Sequence, residues 1–291
     1  MMKRRFGAAI GMGFMLALGA APTSAQDGHA AANKQTGMDA SRPTFHIVAT
    51  DRGFEAPASV PAGLRHIVFE NHGKEIHEGM LVKLPDGMRA RDYVAAVKAG
   101  SLFPEGALDY SGAGLTSPGE SAELWTRMDP GQYVVICWNA DHARTRRVHA
   151  FTVTAAGAHD DPLPAVDVVL KLVDFRFELS APLRKGTQVI RVDTTGPSMH
   201  EADFYRLLDG KTLADLVAWR KHDGAGAAPV IALGGILDSH DLARQVWLRK
   251  NFTPGRYVLG CEMPLSADAK SGTGYATHTD AGMVLAFEIA E

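Results

Sequence analysis

PGQYVVIC at residues 130–137 and PGRYVLGC at residues 254–261 are the two stretches that decide the fold of this chain. In each stretch a Pro-Gly turn signal leads into a run of aromatic and β-branched residues, a pattern typical of a buried strand. Each run ends on a cysteine, and the chain contains only these two cysteines. The stretches stand 124 residues apart, since 254 − 130 = 124, and therefore predict an internal duplication.

The duplication extends in both directions from these strands. Further matches lie at DRGFE (51–55) with DFRFE (174–178), His77-Glu78 with His200-Glu201, His142 with His278, and Phe151 with Phe287. The offset is 123 before the cysteines and 136 after them, for example 200 − 77 = 123 and 278 − 142 = 136. A repeated domain with a twelve-residue insertion after the second cysteine explains the change from 124 to 136.

The local patterns within each copy predict an all-β fold. Segments such as FHIVAT (45–50) and VHAFTVT (148–154) are short, rich in β-branched and aromatic residues, and separated by turn signals, which indicates a sandwich or barrel. One stretch per copy has apolar residues at helical spacing instead, ARDYVAAVKAG (90–100) and KTLADLVAWRK (211–221). We therefore expect two tandem β-sandwiches, each with a short helical insertion.

The ends of the chain and its loops suggest the division into domains. Lys3, Arg4 and Arg5 precede an apolar run that closes on Thr-Ser-Ala, which predicts a secretory signal peptide over residues 1–25. A polar segment without apolar periodicity follows at 26–43 and is interpreted as a flexible lead-in. The first domain is then placed at 44–156, a linker at 157–165 and the second domain at 166–291.

Composition limits the class of partner and the compartment. Removing the signal peptide leaves 30 − 3 = 27 Lys and Arg against 33 Asp and Glu, a net charge of −6. This balance gives no support for binding to nucleic acid or to an anionic membrane. A periplasmic or secreted location follows from the signal, with no membrane anchor after cleavage. Two cysteines exclude a disulfide framework, although they leave open a single bridge, burial or metal binding.

The second copy has the residues of a blue-copper site. Such a site needs two imidazoles and one thiolate in a plane with a weak axial thioether, and the protein supplies three of the four from one loop. Cys261 ends a strand, His278 follows, and Met283 comes after four intervening residues. The other imidazole must come from a distant strand, and His200 stands 61 residues before Cys261.

These residues and their order resemble the type 1 copper domains of the cupredoxin family. The resemblance covers both copies and implies tandem Greek-key cupredoxin-like sandwiches. It also implies that His200, Cys261 and His278 are equatorial ligands of a copper ion and that Met283 is the axial one. This chain departs from the family pattern in the sixteen residues between Cys261 and His278. The Gly-rich stretch 270–275 within that loop is interpreted as an excursion whose two ends meet again.

The first copy has the equivalent set His77, Cys137 and His142, but Arg147 stands where the second copy has Met283. A guanidinium cannot ligate a metal, so the site of the first copy is predicted to be degenerate. The alternative is a three-coordinate site, if the Arg147 side chain turns outward. Glu78 and Glu201 directly follow the first histidine of each copy. They are candidates to orient a histidine ring, or, as adjacent strand residues, to point to the opposite face of the sheet and be exposed to solvent.

Three classes of function follow from these residues. The first is a copper-binding carrier for electron transfer or copper handling, which works with a redox or copper-delivery protein. The second is a metal-free binding module in which the cysteines are ordinary core residues. The third is a subunit of a copper oxidoreductase. By family pattern such enzymes add His-x-His or His-Cys-His elements for a second copper centre, and the sequence contains neither. The carrier is therefore favoured over the enzyme.

Overall fold

The strands follow from the alternation of buried and exposed residues that the sequence pattern predicts. The computed structural model describes residues 45–101, 104–139, 142, 148–195, 197–221, 226–237, 245–265 and 276–291. In FHIVAT every second side chain is buried, beginning with Phe45, as expected for a strand with one face on a core. HEGMLVK is buried almost throughout, because this strand lies in the middle of a sheet with both faces covered.

The described residues of the first copy form nine strands and one helix. They are β1 (Phe45–Thr50), β2 (Gly53–Glu55), β3 (Ser59–Pro61), β4 (Gly63–Asn71), β5 (His77–Lys83), α1 (Ala90–Lys98), β6 (Leu108–Thr116), β7 (Ser121–Met128), β8 (Gly131–Ile136) and β9 (Val148–Thr154).

In the part of the second copy that the structure describes, this order is repeated with eight strands and one helix. They are β10 (Val168–Val173), β11 (Arg176–Leu179), β12 (Gly186–Thr194), β13 (Glu201–Leu207), α2 (Leu213–Lys221), β14 (Val230–Leu237), β15 (Val246–Phe252), β16 (Gly255–Gly260) and β17 (Val284–Ile289). Both helices lie where the helical periodicity predicts them. No helix among the described residues is long and apolar enough to cross a membrane.

The strands form two sheets with the cupredoxin-like sandwich repeated in tandem. One sheet has the order β11-β10-β12-β15-β7-β4-β1-β2, and the other has the order β17-β16-β13-β14-β6-β5-β8-β9-β3. Each copy contributes four strands to the first sheet, whereas the second sheet has five strands from the first copy and four from the second. Corresponding strands of the two copies pair alike, as in β1 parallel to β4 and β10 parallel to β12. The predicted all-β, two-sandwich fold is confirmed.

The two copies meet through their own equivalent strands. In one sheet β7 pairs antiparallel with β15, and in the other β6 pairs antiparallel with β14. Side chains reinforce this junction, since Asp203 accepts a hydrogen bond from the backbone N–H of Leu115 at 3.0 Å across the copies. The halves therefore share both sheets. The domain boundaries placed at 156 and 166 stay a prediction.

The segment between the copies, residues 157–165, is anchored to β4 and β7 of the first copy. Asp161 accepts a hydrogen bond from the backbone N–H of His66 at 2.8 Å and donates its own N–H to the carbonyl of Leu64 at 2.9 Å. Its neighbour Asp160 pairs with Arg127 at 2.8 Å. Linker composition therefore does not prevent this segment from packing against the sandwich.

A Trp125 cluster closes the junction on the outer face of one sheet. Trp125 is buried, with its ring stacked on His66 at 4.3 Å and the guanidinium of Arg249 from the second copy at 4.9 Å over it. Glu123 contacts both His66 and Arg249. The cluster thereby ties β4 and β7 to β15 of the other copy.

We expect Trp125→Ala to lower the free energy of unfolding by about 3 to 5 kcal/mol, the usual cost of deleting a buried aromatic ring. Urea denaturation followed by circular dichroism measures it. Leu163→Ala is the control, because Leu163 is 44% exposed, and it should change stability by less than about 0.5 kcal/mol. Equal effects of the two variants would show that Trp125 does not stabilise the junction.

Candidate metal centres

Strand register brings the first histidine and the cysteine of each copy together. In the second copy β13 and β16 are antiparallel neighbours with Asp203 opposite Gly260. Continuing that register by one pair places Cys261 opposite Ala202, so that His200 and Cys261 lie diagonally on the same face. In the first copy β5 pairs with β8 and Met80 lies opposite Ile136, which relates His77 to Cys137 in the same way.

A tight turn before β17 supplies the second histidine of the second copy. The backbone N–H of His278 donates to the carbonyl of Met263 at 2.9 Å, and that of Thr279 donates to the carbonyl of Cys261 at 2.9 Å. The Thr279 hydroxyl in turn accepts from the Cys261 N–H at 2.9 Å. His278 is thus fixed directly beside the cysteine.

The long ligand loop returns to the cysteine because residues on either side of the insertion pair with each other. Pro264 and Thr277 form an isolated antiparallel bridge, and the N–H of Leu265 donates to the carbonyl of Ala276 at 3.0 Å. The Gly-rich stretch 270–275 lies outside the described residues. The ends of the excursion do meet, as the sequence interpretation requires.

The three donor atoms of the second copy form a triangle of the size that a metal ion needs. His200 Nδ1 lies 3.0 Å from His278 Nδ1, and Cys261 Sγ lies 3.9 Å from the former and 3.4 Å from the latter. With metal–nitrogen bonds of about 2.0 Å and a metal–sulfur bond of about 2.3 Å, a trigonal site has sides of roughly 3.5 to 3.7 Å. All three residues are buried. The donors therefore fit a trigonal thiolate–imidazole centre of the type 1 copper kind.

The first copy contains the same group. Cys137 Sγ lies 3.9 Å from His77 Nδ1 and 3.3 Å from His142 Nδ1, and these three residues are also buried. The carbonyl of Asn139 accepts a hydrogen bond from the His142 N–H at 3.1 Å and so holds the shorter loop. In each group the ligand atoms lie within 4.8 Å of one another.

Of the two residues at the predicted axial positions, the structure describes only Met283. Met283 is completely buried at the end of the ligand turn, and its N–H donates to the carbonyl of His278 at 2.8 Å. This places the methionine on the loop that bears the ligand histidine, and its role as the axial ligand stays a prediction. Arg147 lies outside the described residues, so the degenerate character of the first site also stays a prediction.

A carboxylate holds the outer nitrogen of the first histidine in both copies, and sequence reasoning did not assign it this role. Asp174 Oδ1 lies 3.0 Å from His200 Nε2, and Asp51 Oδ1 lies 3.3 Å from His77 Nε2. Such a contact fixes the ring so that Nδ1 faces the cysteine. Gly73 allows the close approach in the first copy, because a Cβ there would lie 2.5 Å from Asp51 Oδ1. The signal was available, since both aspartates belong to the repeated DxxFE pattern.

The two glutamates after the first histidines brace the segment that follows each cysteine. Glu78 accepts a hydrogen bond from the backbone N–H of Trp138, and Glu201 accepts one from the N–H of Glu262 at 3.1 Å. Their own backbone N–H groups point the other way, toward Cys137 Sγ at 3.4 Å and Cys261 Sγ at 3.2 Å.

Of the two interpretations of these glutamates, the opposite face of the sheet is the one that the contacts favour. That face is not solvent, however. Glu78 is buried, and desolvation raises its pKa to about 7. Desolvation likewise raises the pKa values of Glu201, Asp203 and Glu262. Neighbouring carboxylates add to the rise at Glu201 and Asp203, whereas the charge of Arg220 opposes it at Glu262.

The electrostatics of the second centre prepare it for a metal ion. Burial lowers the pKa of His278 from 6.5 to about 4, and the neighbouring His200 adds to the lowering, so the ring keeps its lone pair at neutral pH. Burial raises the pKa of the Cys261 thiol well above its usual range, and Glu201 adds to the rise, whereas backbone N–H groups oppose it. A metal that binds there must therefore displace a proton from sulfur.

Comparison with known proteins adds distant structural similarity. No protein-family model and no curated protein matches the chain. Reduced auracyanin from Roseiflexus castenholzii is similar at 21% identity and a TM-score of 0.28, covering 38% of this chain and 96% of that one. A multicopper oxidase is similar at 13% identity and a TM-score of 0.25, covering 85% of this chain and 88% of that one. The copper-containing nitrite reductase of Thermus scotoductus is similar at 14% identity and a TM-score of 0.24, covering 84% of this chain and 61% of that one.

These overlaps are low, and the cupredoxin-like fold is assigned on the strand order and the duplicated His–Cys–His groups of the chain itself. Two sandwiches carry equivalent groups at equivalent strand ends. The fold is therefore a tandem cupredoxin-like β-sandwich.

We expect the stability of the metal-free protein to fall as pH drops from about 6.5 to about 4, with a contribution from His278. Its folded pKa lies below the unfolded value, so the unfolded chain binds more protons in this window and is favoured there. Urea denaturation at pH 7 and at pH 5 measures the loss. His278→Gln should reduce the loss. An identical loss in wild type and His278→Gln would contradict the assignment.

Proposed function

We propose that this chain is an exported, copper-binding cupredoxin-like protein that carries electrons through a type 1 centre in its second copy. The observation that carries the proposal is the buried triangle of Cys261 Sγ, His200 Nδ1 and His278 Nδ1. In this proposal those three residues hold the ion and Met283 supplies the weak axial thioether. When bound, copper supplies a one-electron couple between Cu(II) and Cu(I).

The surrounding protein keeps the three ligand residues in one arrangement. Asp174 fixes His200 from behind, Thr279 fixes the turn that bears His278, and the N–H of Glu201 donates to the cysteine sulfur. Ligands that are held by such contacts move little between the two oxidation states. A small rearrangement favours electron transfer, and buried ligands exclude water from the site.

The outer edge of the centre supports a role as a carrier. His278 is covered by the ring of Phe175, whose centroid lies 4.9 Å away, and Phe175 itself is 42% exposed. In this proposal an electron leaves the site through the rings of His278 and Phe175, and Phe175 lies at the protein surface. We include in the proposal a redox or copper-delivery protein as partner, rather than nucleic acid.

Export belongs to the same proposal. The supporting observation is the basic and apolar signal pattern at residues 1–25, which would send the mature chain to the periplasm or outside the cell. A catalytic role as a copper oxidoreductase subunit receives less support, because the sequence lacks the His-x-His and His-Cys-His elements of a second copper centre.

Adding Cu(II) to the purified protein should give an intense visible charge-transfer band, because a trigonal copper–thiolate bond produces one. Cys261→Ser should abolish the band of the second centre, whereas Cys137→Ser should leave most of the total band intensity. Met283→Leu should keep the colour and shift the reduction potential, because the axial ligand tunes the metal more than it holds it. Absorption spectra and metal analysis are the measurements.

The alternatives predict different results in the same experiment. A colourless protein that binds Cu(I) through Cys261 and Met283 would favour copper handling. A protein that binds neither ion, and whose Cys261 reacts with thiol reagents only after unfolding, would contradict the copper proposal and leave the metal-free binding module.

Asp174→Asn should weaken copper binding by about 10- to 100-fold, the usual effect of removing a partner of a ligating histidine. Competition with a chelator of known affinity measures the change in the Cys137→Ser protein, which keeps only the second centre. Asp209→Asn is the matched control, because Asp209 is exposed and lies at the far end of β13 from His200. Equal affinities of the two variants would mean that Asp174 does not position the ring.

A further inference from the structure

The two centres differ in what covers the outer nitrogen of the loop histidine. In the first copy Glu75 Oε2 lies 3.0 Å from His142 Nε2. The equivalent position in the second copy is Ser198, since 75 + 123 = 198. Among the described residues no carboxylate lies within ion-pair distance of His278, and its neighbour is the edge of Phe175.

The contacts of the first histidine are the same in both copies. Asp51 holds His77 and Asp174 holds His200 through the same ring nitrogen. These contacts therefore do not distinguish the centres. Glu75 does distinguish them, because it adds a second carboxylate beside the first centre. One carboxylate oxygen each of Asp51 and Glu75 and one ring nitrogen of His77 lie within 4.8 Å of one another.

We infer that Glu75 biases the first-copy centre toward a divalent ion, so that when both centres hold copper a single electron resides on the second. The inference rests on the proposed copper function and assigns different redox roles to the two copies. Movement of that electron oxidises Cu(I) to Cu(II) in the first centre and reduces Cu(II) to Cu(I) in the second, and it needs no co-reactant.

Two physical effects of Glu75 act in the same direction. An imidazole that donates its outer N–H to a carboxylate is a stronger electron donor at its other nitrogen, which stabilises the higher oxidation state. The negative charge also attracts Cu(II) more than Cu(I) across one ring. Between effective dielectric constants of about 20 and 80 this attraction changes the Cu(II)/Cu(I) ratio by roughly tenfold at a fixed potential.

The second copy has the opposite surroundings. Phe175 brings an apolar ring against His278 in place of a carboxylate, and its counterpart in the first copy is Arg52, since 52 + 123 = 175. Met283 is a soft thioether, which suits Cu(I), and the first copy has no methionine at that position. The thioether of Met283 favours the reduced ion in the second centre.

The experiment compares the reduction potentials of proteins that keep one centre each. Cys261→Ser leaves the first centre and Cys137→Ser leaves the second, and potentials are measured by redox titration followed by visible absorption and electron paramagnetic resonance. The first centre should have the lower potential. Glu75→Gln, which keeps the shape of the side chain and removes its charge, should raise that potential by the equivalent of roughly a tenfold change in the Cu(II)/Cu(I) ratio.

Two controls separate the local effect from a general change of charge. Glu105→Gln removes an exposed carboxylate near Leu108, which pairs with Lys83 at the opposite end of β5 from His77, and it should not shift the potential. In the Cys137→Ser protein, Ser198→Glu combined with Phe175→Ala should lower the potential of the second centre. Phe175→Ala alone gives the reference for that double variant.

The outcomes distinguish this inference from the proposed function. If neither single-centre protein binds copper by metal analysis, the proposed function fails and the inference fails with it. If the second centre binds copper and the first does not, only the inference is overturned. It is also overturned if the first centre binds copper but has the higher potential, or if Glu75→Gln shifts the potential no more than Glu105→Gln does.

Discussion

The antiparallel register between two inner strands is the constraint on which each centre depends. With Asp203 opposite Gly260, the histidine that precedes β13 and the cysteine that follows β16 lie on one face and within reach of each other. A slip of one residue would turn one of them to the other face of the sheet. The register is strongly specified, because both strands are buried and a slip would expose their apolar side chains.

The same strand register also determines the hydrogen bonds around each cysteine. The residue after the first histidine donates its backbone N–H to the sulfur and accepts, through its glutamate side chain, an N–H from the residue after the cysteine. One strand pair therefore both delivers the donors and braces the chain beside them. The cost is a set of buried carboxylates with raised pKa values at the junction between the copies. Asp203, a member of this set, also joins the copies by accepting the N–H of Leu115.

The chain contains two copies of one centre, and the copies differ at positions where a change of side chain has little effect on the stability of the fold. The buried donors and the aspartates behind the first histidines are retained in both. Two of the differences lie at Glu75 and Ser198 and at Arg52 and Phe175, which are loop positions outside the paired strands. Loop positions are free to change because no sheet hydrogen bonds or core packing depend on their side chains. The chemistry of the two centres can thus differ while the sandwich stays the same.

The sequence by itself determined the all-β class, the duplication, both helices and the His–Cys–His residues of each copy. These features follow from local periodicity and from matches at fixed offsets, and both can be recognised without knowing which residues are in contact. Only the tertiary structure decided that the copies share both sheets, that Glu78 and Glu201 face a buried junction and not solvent, and that Asp51, Asp174 and Glu75 reach the histidine rings. Those outcomes depend on pairing between segments from 26 to more than 100 residues apart, and local patterns carry no information on such distances.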